Sequence, residues 1–168
     1  VFSAAGCNLF NKPSQKDNGE YVTGNSLPKV EGTIHERYVG TTAYKLLENG
    51  RTDYKILVHE TQKAELIEAI NELQAIFAEA TGVQLDVVLD NGIGFDKNAK
   101  YISLGETSAL SDSGISVDYS TLGLQGYQLA TLGQTVFVCG KARGVLYGVY
   151  DFLNDAIDYT FYAKDEIK

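Results

Sequence analysis

The stretch YQLATLGQTVFVCGKARGVLYGVYDFLND, residues 127–155, changes periodicity part-way along, and that change decides the fold. Its first part holds two β-favouring runs on either side of Leu132-Gly133-Gln134, the pattern of a hairpin. Its second part, extended to 142–157, repeats apolar residues at helical spacing. Val145, Val149, Phe152 and Ala156 form one apolar stripe, and Leu146, Tyr150, Leu153 and Ile157 form another. A helix apolar over most of its circumference is expected to be buried on two sides, one of which can be formed by another domain.

Glycines at 140, 144 and 148 recur every fourth residue through this helix start. A phosphate-binding P-loop needs Gly-Lys followed by Ser or Thr, whose hydroxyl reaches the magnesium ion. Here Gly140-Lys141 is followed by Ala142 and Arg143, so the metal-directed hydroxyl is missing. A dinucleotide fingerprint crowds its glycines into a single turn, whereas these three are spread along the helix. Glycine inside a helix costs about 1 kcal/mol relative to alanine, so two of them call for a compensating close approach. Residues four apart share a helix face, and Gly144 and Gly148 therefore form a flat strip that lets the helix sit near a neighbouring strand. Gly140, Gly144 and Gly148 are read as helix-packing positions, and no cofactor is expected.

Working upstream, Glu48-Asn49-Gly50-Arg51 is the strongest turn signal in the chain and predicts a hairpin with strands near 42–47 and 53–58. The segment 61–81 places Leu66, Ile70, Leu73, Phe77 and Ala80 on one helical face, with Thr61 as the cap and Gly82 as the stop. Short strands come next at 83–90 and 100–105, and a last one is expected in YTFYA, 159–163. The total is about six or seven strands with two long helices. Two hairpins argue against a doubly wound parallel sheet. The expected fold class is α+β, as two α/β layers: a mixed, largely antiparallel sheet with two long helices on one face.

A length of 168 residues suits one domain with its own core. The formal net charge of −8, without any basic cluster, speaks against nucleic acid and anionic lipid as partners. Tyr reaches 11 while Trp is absent, which suits either a tyrosine-rich core or a glycan-binding module with sugar-facing rings.

Most combinations with catalytic or ligand chemistry fail on inspection. His59-Glu60-Thr61-Gln62-Lys63 begins like a zinc-peptidase helix, but Lys63 stands where the second imidazole ligand is needed. Asp90, Asn91, Asp96 and Asn98 supply hard oxygen donors without the spacing of a calcium loop, which favours a turn. Asp165-Glu166 is an acidic pair with no enclosure to set its separation, as glycosidase chemistry requires. Cys139, at the end of a strand, reads as a buried free thiol. Serine nucleophiles have no nearby histidine base. No catalytic, metal or cofactor residue is therefore assigned.

The start of the chain differs in character. Ala4, Ala5 and Gly6 before Cys7 resemble the lipobox of bacterial lipoproteins, which implies lipidation at Cys7. The position three before the cysteine is Ala4, where that motif most often has leucine, and a chain beginning at an arbitrary point is the competing reading. Residues 8–33 contain both prolines and lack periodicity, as a tether would. The organisation expected is a leader and tether over 1–33 and a folded domain over 34–168, with membrane contact only through a lipid anchor at the bacterial cell envelope.

Leu104-Gly105, Gly126-Tyr127, Gly140, and then Gly144, Tyr147, Gly148, Phe152 and Leu153 together resemble the β-N-acetylhexosaminidase-like domain. That domain is the second domain of family-twenty hexosaminidases and the N-terminus of α-glucuronidases. The resemblance covers about residues 42–166. It implies a zincin-like layered fold without the zinc motif, and a catalytic barrel downstream in the same chain that carries the sugar-cleaving carboxylates. FYAKDE, 161–166, resembles the segment just before such a barrel. The function implied by the resemblance is that of a non-catalytic accessory domain of a glycoside hydrolase, with glycans as further partners.

Overall fold

The computed structural model describes residues 4–5 and 45–157. Its strands are β1 (Ala4–Ala5), β2 (Lys55–His59), β3 (Asp86–Asp90), β4 (Tyr101–Leu104), β5 (Tyr127–Leu132) and β6 (Thr135–Gly140). The helices are α1 (Ile67–Thr81), α2 (Ser108–Ser113), α3 (Tyr119–Leu122) and α4 (Ala142–Ile157), with a 3-10 turn at Glu60–Gln62 before α1. One sheet contains all the described strands in the order β1-β5-β6-β4-β2-β3.

The sheet is mixed and the class is α+β, as the hairpin and helix patterns predict. Its balance differs from the expectation of a largely antiparallel sheet. β2 pairs parallel with both β3 and β4, and β4 pairs parallel with β6. Antiparallel pairing is confined to β5 with β6 and to the short β1 with β5. The cause lies at the first predicted hairpin. Asn49 and Gly50 adopt φ of 52° and 72°, and Glu48 and Arg51 exchange both backbone hydrogen bonds at 2.8 and 3.0 Å. The turn therefore exists, but its pairing ends at that single bridge. The next run, Ile56-Leu57-Val58, is buried on both faces, and such a run is satisfied at the centre of a parallel sheet rather than in a half-exposed hairpin. Residues 42–44 and the strand expected at 159–163 lie outside the described residues, as does the tether at 8–33.

The second hairpin, β5 to β6, is as predicted, with Gly133 at φ 59° in its turn. Alternation along the strands then divides the core into two layers. Ile56 and Val58, Ile102 and Leu104, and Val136 and Val138 face α1 and α4, where they pack with Leu73, Phe77, Val149 and Leu153. Leu57, Phe137 and Cys139 face the opposite side, beneath Ala109 and Leu110 of α2. The Phe95 ring closes that layer 6.2 Å from Phe137. Both long helices thus lie on one face of the sheet.

Helix α1 starts later than its periodicity suggests. Thr61 is not its cap; His59 closes β2 and caps the 3-10 turn, accepting from the Thr61 N–H at 3.3 Å. The stop is Gly82, at φ 73° with its N–H bonded to the Ala78 carbonyl at 2.8 Å. Sequence periodicity does not reveal α2 and α3, because each is too short to complete a repeat.

Helix α4 lies against the start of β5 through bare backbone. A Cβ at Gly144 would overlap the Gly126 carbonyl, and one at Gly140 would stand 2.8 Å from the same oxygen. A Cβ at Gly148 would come within 2.6 Å of Val138 Cγ1 and 3.2 Å of the Tyr127 ring. Gly144→Ala sets a helix-propensity gain of about 1 kcal/mol against this overlap with backbone that cannot rotate away. The expected outcome is a net loss of about 1–3 kcal/mol in chemical denaturation, with the overlap deciding the sign. A stabilised Gly144→Ala variant would show that the helix has room to lift.

Candidate functional site

Strands β2, β3, β4 and β6 run in one direction, so their carboxyl ends form one rim of the sheet. From β2 the chain crosses through α1 to β3 on one side, while β4 lies on the other. Open parallel sheets bind ligands in the crevice at such a reversal. In this protein the crevice is filled by the chain itself. The 3-10 turn brings Gln62 across from β2 to β4, where its Oε1 accepts from the Glu106 N–H at 2.8 Å. Gly105, at φ 72°, gives it room: a Cβ there would stand 2.7 Å from Gln62 Oε1 and 2.9 Å from Leu66 Cδ1.

Asp90, at the carboxyl end of β3, is fully buried. It accepts from the N–H groups of Gly92 at 3.0 Å, Ile93 at 2.8 Å and Ser108 at 2.5 Å. Burial raises its pKa, but the bonds from the Ser108, Ile93 and Gly92 N–H groups and the Ser108 hydroxyl outweigh that cost, holding the carboxyl below its ordinary value. Beside it, Thr107 is hydrogen-bonded to Ser103 at 2.7 Å and caps α2 through the Leu110 N–H at 3.2 Å. These groups join β3, β4 and α2 rather than meet a ligand. Asp96 is likewise turned onto its own loop, accepting from the Asn98 N–H at 2.8 Å.

Further along the rim, Lys141 lies 5.2 Å from the centre of the Tyr119 ring and 3.9 Å from Glu106. The Tyr119 hydroxyl is buried without a hydrogen-bond partner among the described residues. Burial first, then the nearby Cys139 and Glu106, push its pKa well above the usual tyrosine range. Cys139 is a buried free thiol whose pKa burial pushes up to about 12. It stays protonated at neutral pH and is no nucleophile. Among the described residues no group of three or more His, Cys, Asp or Glu side chains is placed to hold a metal ion. His59 directs its Nδ1 at Thr61 Oγ1, 2.8 Å away.

The opposite rim carries a polar groove of about 260 Å³ across the amino ends of β2, β4 and β6. Asp53, Lys100 and Gln134 lie just before those three strands, and Lys45, Glu48 and Arg51 close the groove from the preceding turn. Lys100 Nζ is 2.8 Å from Asp53, and this pairing lowers the Asp53 pKa. The Gln134 N–H donates to the Lys97 carbonyl at 2.9 Å and fixes the far wall.

Against known proteins, residues 37–152 match the family model described as "Glycosyl hydrolase family 67 N-terminus". The chain belongs to this family. It is also 30% identical over 111 residues to a protein named "Probable alpha-glucuronidase A" from Aspergillus terreus, a match that covers 66% of this chain and 13% of that protein. The chain thus spans a small part of its relative's length. The α-glucuronidase part of the sequence resemblance is shown by this match, and the domain is α-glucuronidase N-terminal-like.

In this family 67 N-terminal domain the glycines at 140, 144 and 148 lie together against Gly126, Tyr127 and Val138. Cys7 and the acidic pair Asp165-Glu166 lie outside the described residues. Sequence reasoning placed Asp90 in a turn, which the bonds from the Gly92 and Ile93 N–H groups make, and missed its link to α2, because Ser108 is too far along the chain for a local signal. Among the described residues no helix is long and apolar enough to cross a membrane.

The buried groups generate two expected outcomes. Asp90→Asn removes the charge from three backbone donors, and about 1–3 kcal/mol of stability is lost at pH 7. Because the Asp90 pKa is lowered on folding, its contribution is full above the ordinary value of 3.8 and is lost as pH falls through the depressed one. The gap between the urea midpoints of wild type and variant should close below about pH 4, and a pH-independent gap would contradict the charged form. In a Cys7→Ser background, Cys139 should resist iodoacetamide at pH 8 and react only once unfolded. Rapid alkylation of the native protein would contradict this burial.

Proposed function

We propose that this domain is a non-catalytic accessory unit at the front of a larger carbohydrate-active enzyme, supporting a catalytic domain that comes after it. The observation carrying this reading is the family match over residues 37–152, together with the inward use of the polar rim groups. Asp90 and Gln62, the groups best placed for chemistry by topology, are spent on backbone donors. Cys139 is held as a thiol. The name of the Aspergillus relative suggests α-glucuronosides as the substrates of the parent enzyme.

The layered sheet with both long helices on one face is consistent with the wider hexosaminidase-like and zincin-like resemblance. Ala4, Ala5 and Gly6 before Cys7 support a lipid-anchored, bacterial cell-envelope location for the parent protein. A stand-alone glycan-binding module is less well supported. Among the described residues every tyrosine is buried or half-buried, which leaves no fully exposed ring as a stacking platform.

The purified 168-residue chain should release no chromophore from aryl α-glucuronides, while the parent protein turns them over. Turnover by the chain alone, with contaminating activity excluded, would refute the accessory role. So would a parent protein whose activity and thermal stability are unchanged when residues 34–157 are removed.

A further inference from the structure

Two Asn-Gly pairs lie among the described residues, Asn49-Gly50 before β2 and Asn91-Gly92 after β3, and each follows an acidic residue, Glu48 or Asp90. A third pair, Asn18-Gly19, lies outside the described residues. Asn49, Gly50, Asn91 and Gly92 are all exposed. Asparagine is a thermally labile side chain, and most labile before glycine, because no Cβ keeps the next backbone nitrogen from reaching the side-chain amide. By sequence and by exposure the two pairs should age alike. Their hydrogen bonds separate them.

The reaction starts at the backbone nitrogen of the glycine. Hydroxide takes its proton, the nitrogen bonds to Cγ of the asparagine, and the Cγ–Nδ2 bond breaks; the departing nitrogen takes a proton from water and leaves as ammonia. The five-membered succinimide then adds one water and opens at either carbonyl, to aspartate or to isoaspartate. A bond that holds the glycine N–H, or a negative charge beside it, slows the first step, because that step makes an anion. The Gly92 N–H meets both conditions: it donates to Asp90 Oδ1 at 3.0 Å, and the same carboxylate takes the Ile93 and Ser108 N–H groups. Opening that turn would also uncouple a fully buried carboxylate from its donors. The Gly50 N–H has no acceptor among the described residues. Its turn is kept by the two Glu48–Arg51 backbone bonds, an isolated bridge with no ladder beyond it. An exposed single bridge opens at little cost, which frees Asn49 to leave its left-handed φ of 52° and bring the Gly50 nitrogen onto Cγ.

We infer that Asn49 is a site of spontaneous deamidation, and that the Asp90 carboxylate withholds Asn91 from the same reaction by occupying the Gly92 N–H. The product at residue 49 carries a new carboxylate beside Glu48, in the turn that closes the polar groove. Its isoaspartate form also adds one carbon to the main chain, which puts the Glu48–Arg51 bridge out of register.

The test ages the 168-residue chain at mildly alkaline pH, native and in concentrated urea, and follows tryptic peptides 46–51 and 64–97 by mass and by separation of the isoaspartate forms. Urea removes the folded structure, so the two sites should react there at rates within about threefold of each other. In the native chain Asn49 should stay within about tenfold of its urea rate, and Asn91 should fall at least about tenfold below Asn49. Equal native rates, or a faster Asn91, would overturn the inference. In an Asp90→Asn variant shown to be folded by its urea transition, the Asn91 rate should rise about tenfold while that of Asn49 is unchanged. An Asn91 rate unmoved in that folded variant would overturn it too. Should the variant not fold, the wild-type comparison decides alone, since it sets two sites of one chain against each other.

Discussion

The contact on which the arrangement depends is the one between the Gly126 carbonyl and the backbones of Gly140 and Gly144. It joins the entry of β5 to the exit of β6 and the first turns of α4, three pieces of chain that no apolar side chain could hold as closely. With α4 set down at this distance, Val145, Val149 and Leu153 reach into the layer formed by β2, β4 and β6. A helix raised by the width of a methyl group would leave that layer underpacked, and interiors tolerate such gaps poorly.

The same economy governs the polar groups. In an open parallel sheet the carboxyl rim is the natural place for chemistry, and here Gln62, Asp90, Ser103 and Thr107 are each consumed by the chain's own structure. Asp90 is the clearest case, being buried and ionised at once. Its charge is tolerated because three N–H groups converge on it, so it acts as a fastener between β3 and α2 rather than as an acid or base.

Much of this was legible in the sequence where the signal is local. The β5–β6 hairpin, α4, the Gly82 stop and the apolar face of α1 all arise from spacing within a few residues. The pairing of β2 was not legible. Asn49-Gly50 makes the turn it advertises, but partner choice was decided by burial of Ile56-Leu57-Val58 on both faces, which only the assembled sheet reveals. Helices α2 and α3 escaped for lack of length. The Asp90 fastener escaped because Ser108 is brought to it by the return of β4, and the groove at the other rim because its walls come from three separate strand entries.

Among the described strands β3 occupies one end of the sheet order, and that position has a bearing on solubility. An open edge offers unpaired backbone groups to any other extended chain, including a copy of itself. Here the edge is short. Asp86 stands exposed at its start, and Asp90 at its finish bends the chain away into the turn that holds Gly92 and Ile93. Only Val87, Val88 and Leu89 remain between them, too brief a template for a stable added strand. The residue that fastens the fold internally thus also truncates the border along which it would otherwise aggregate.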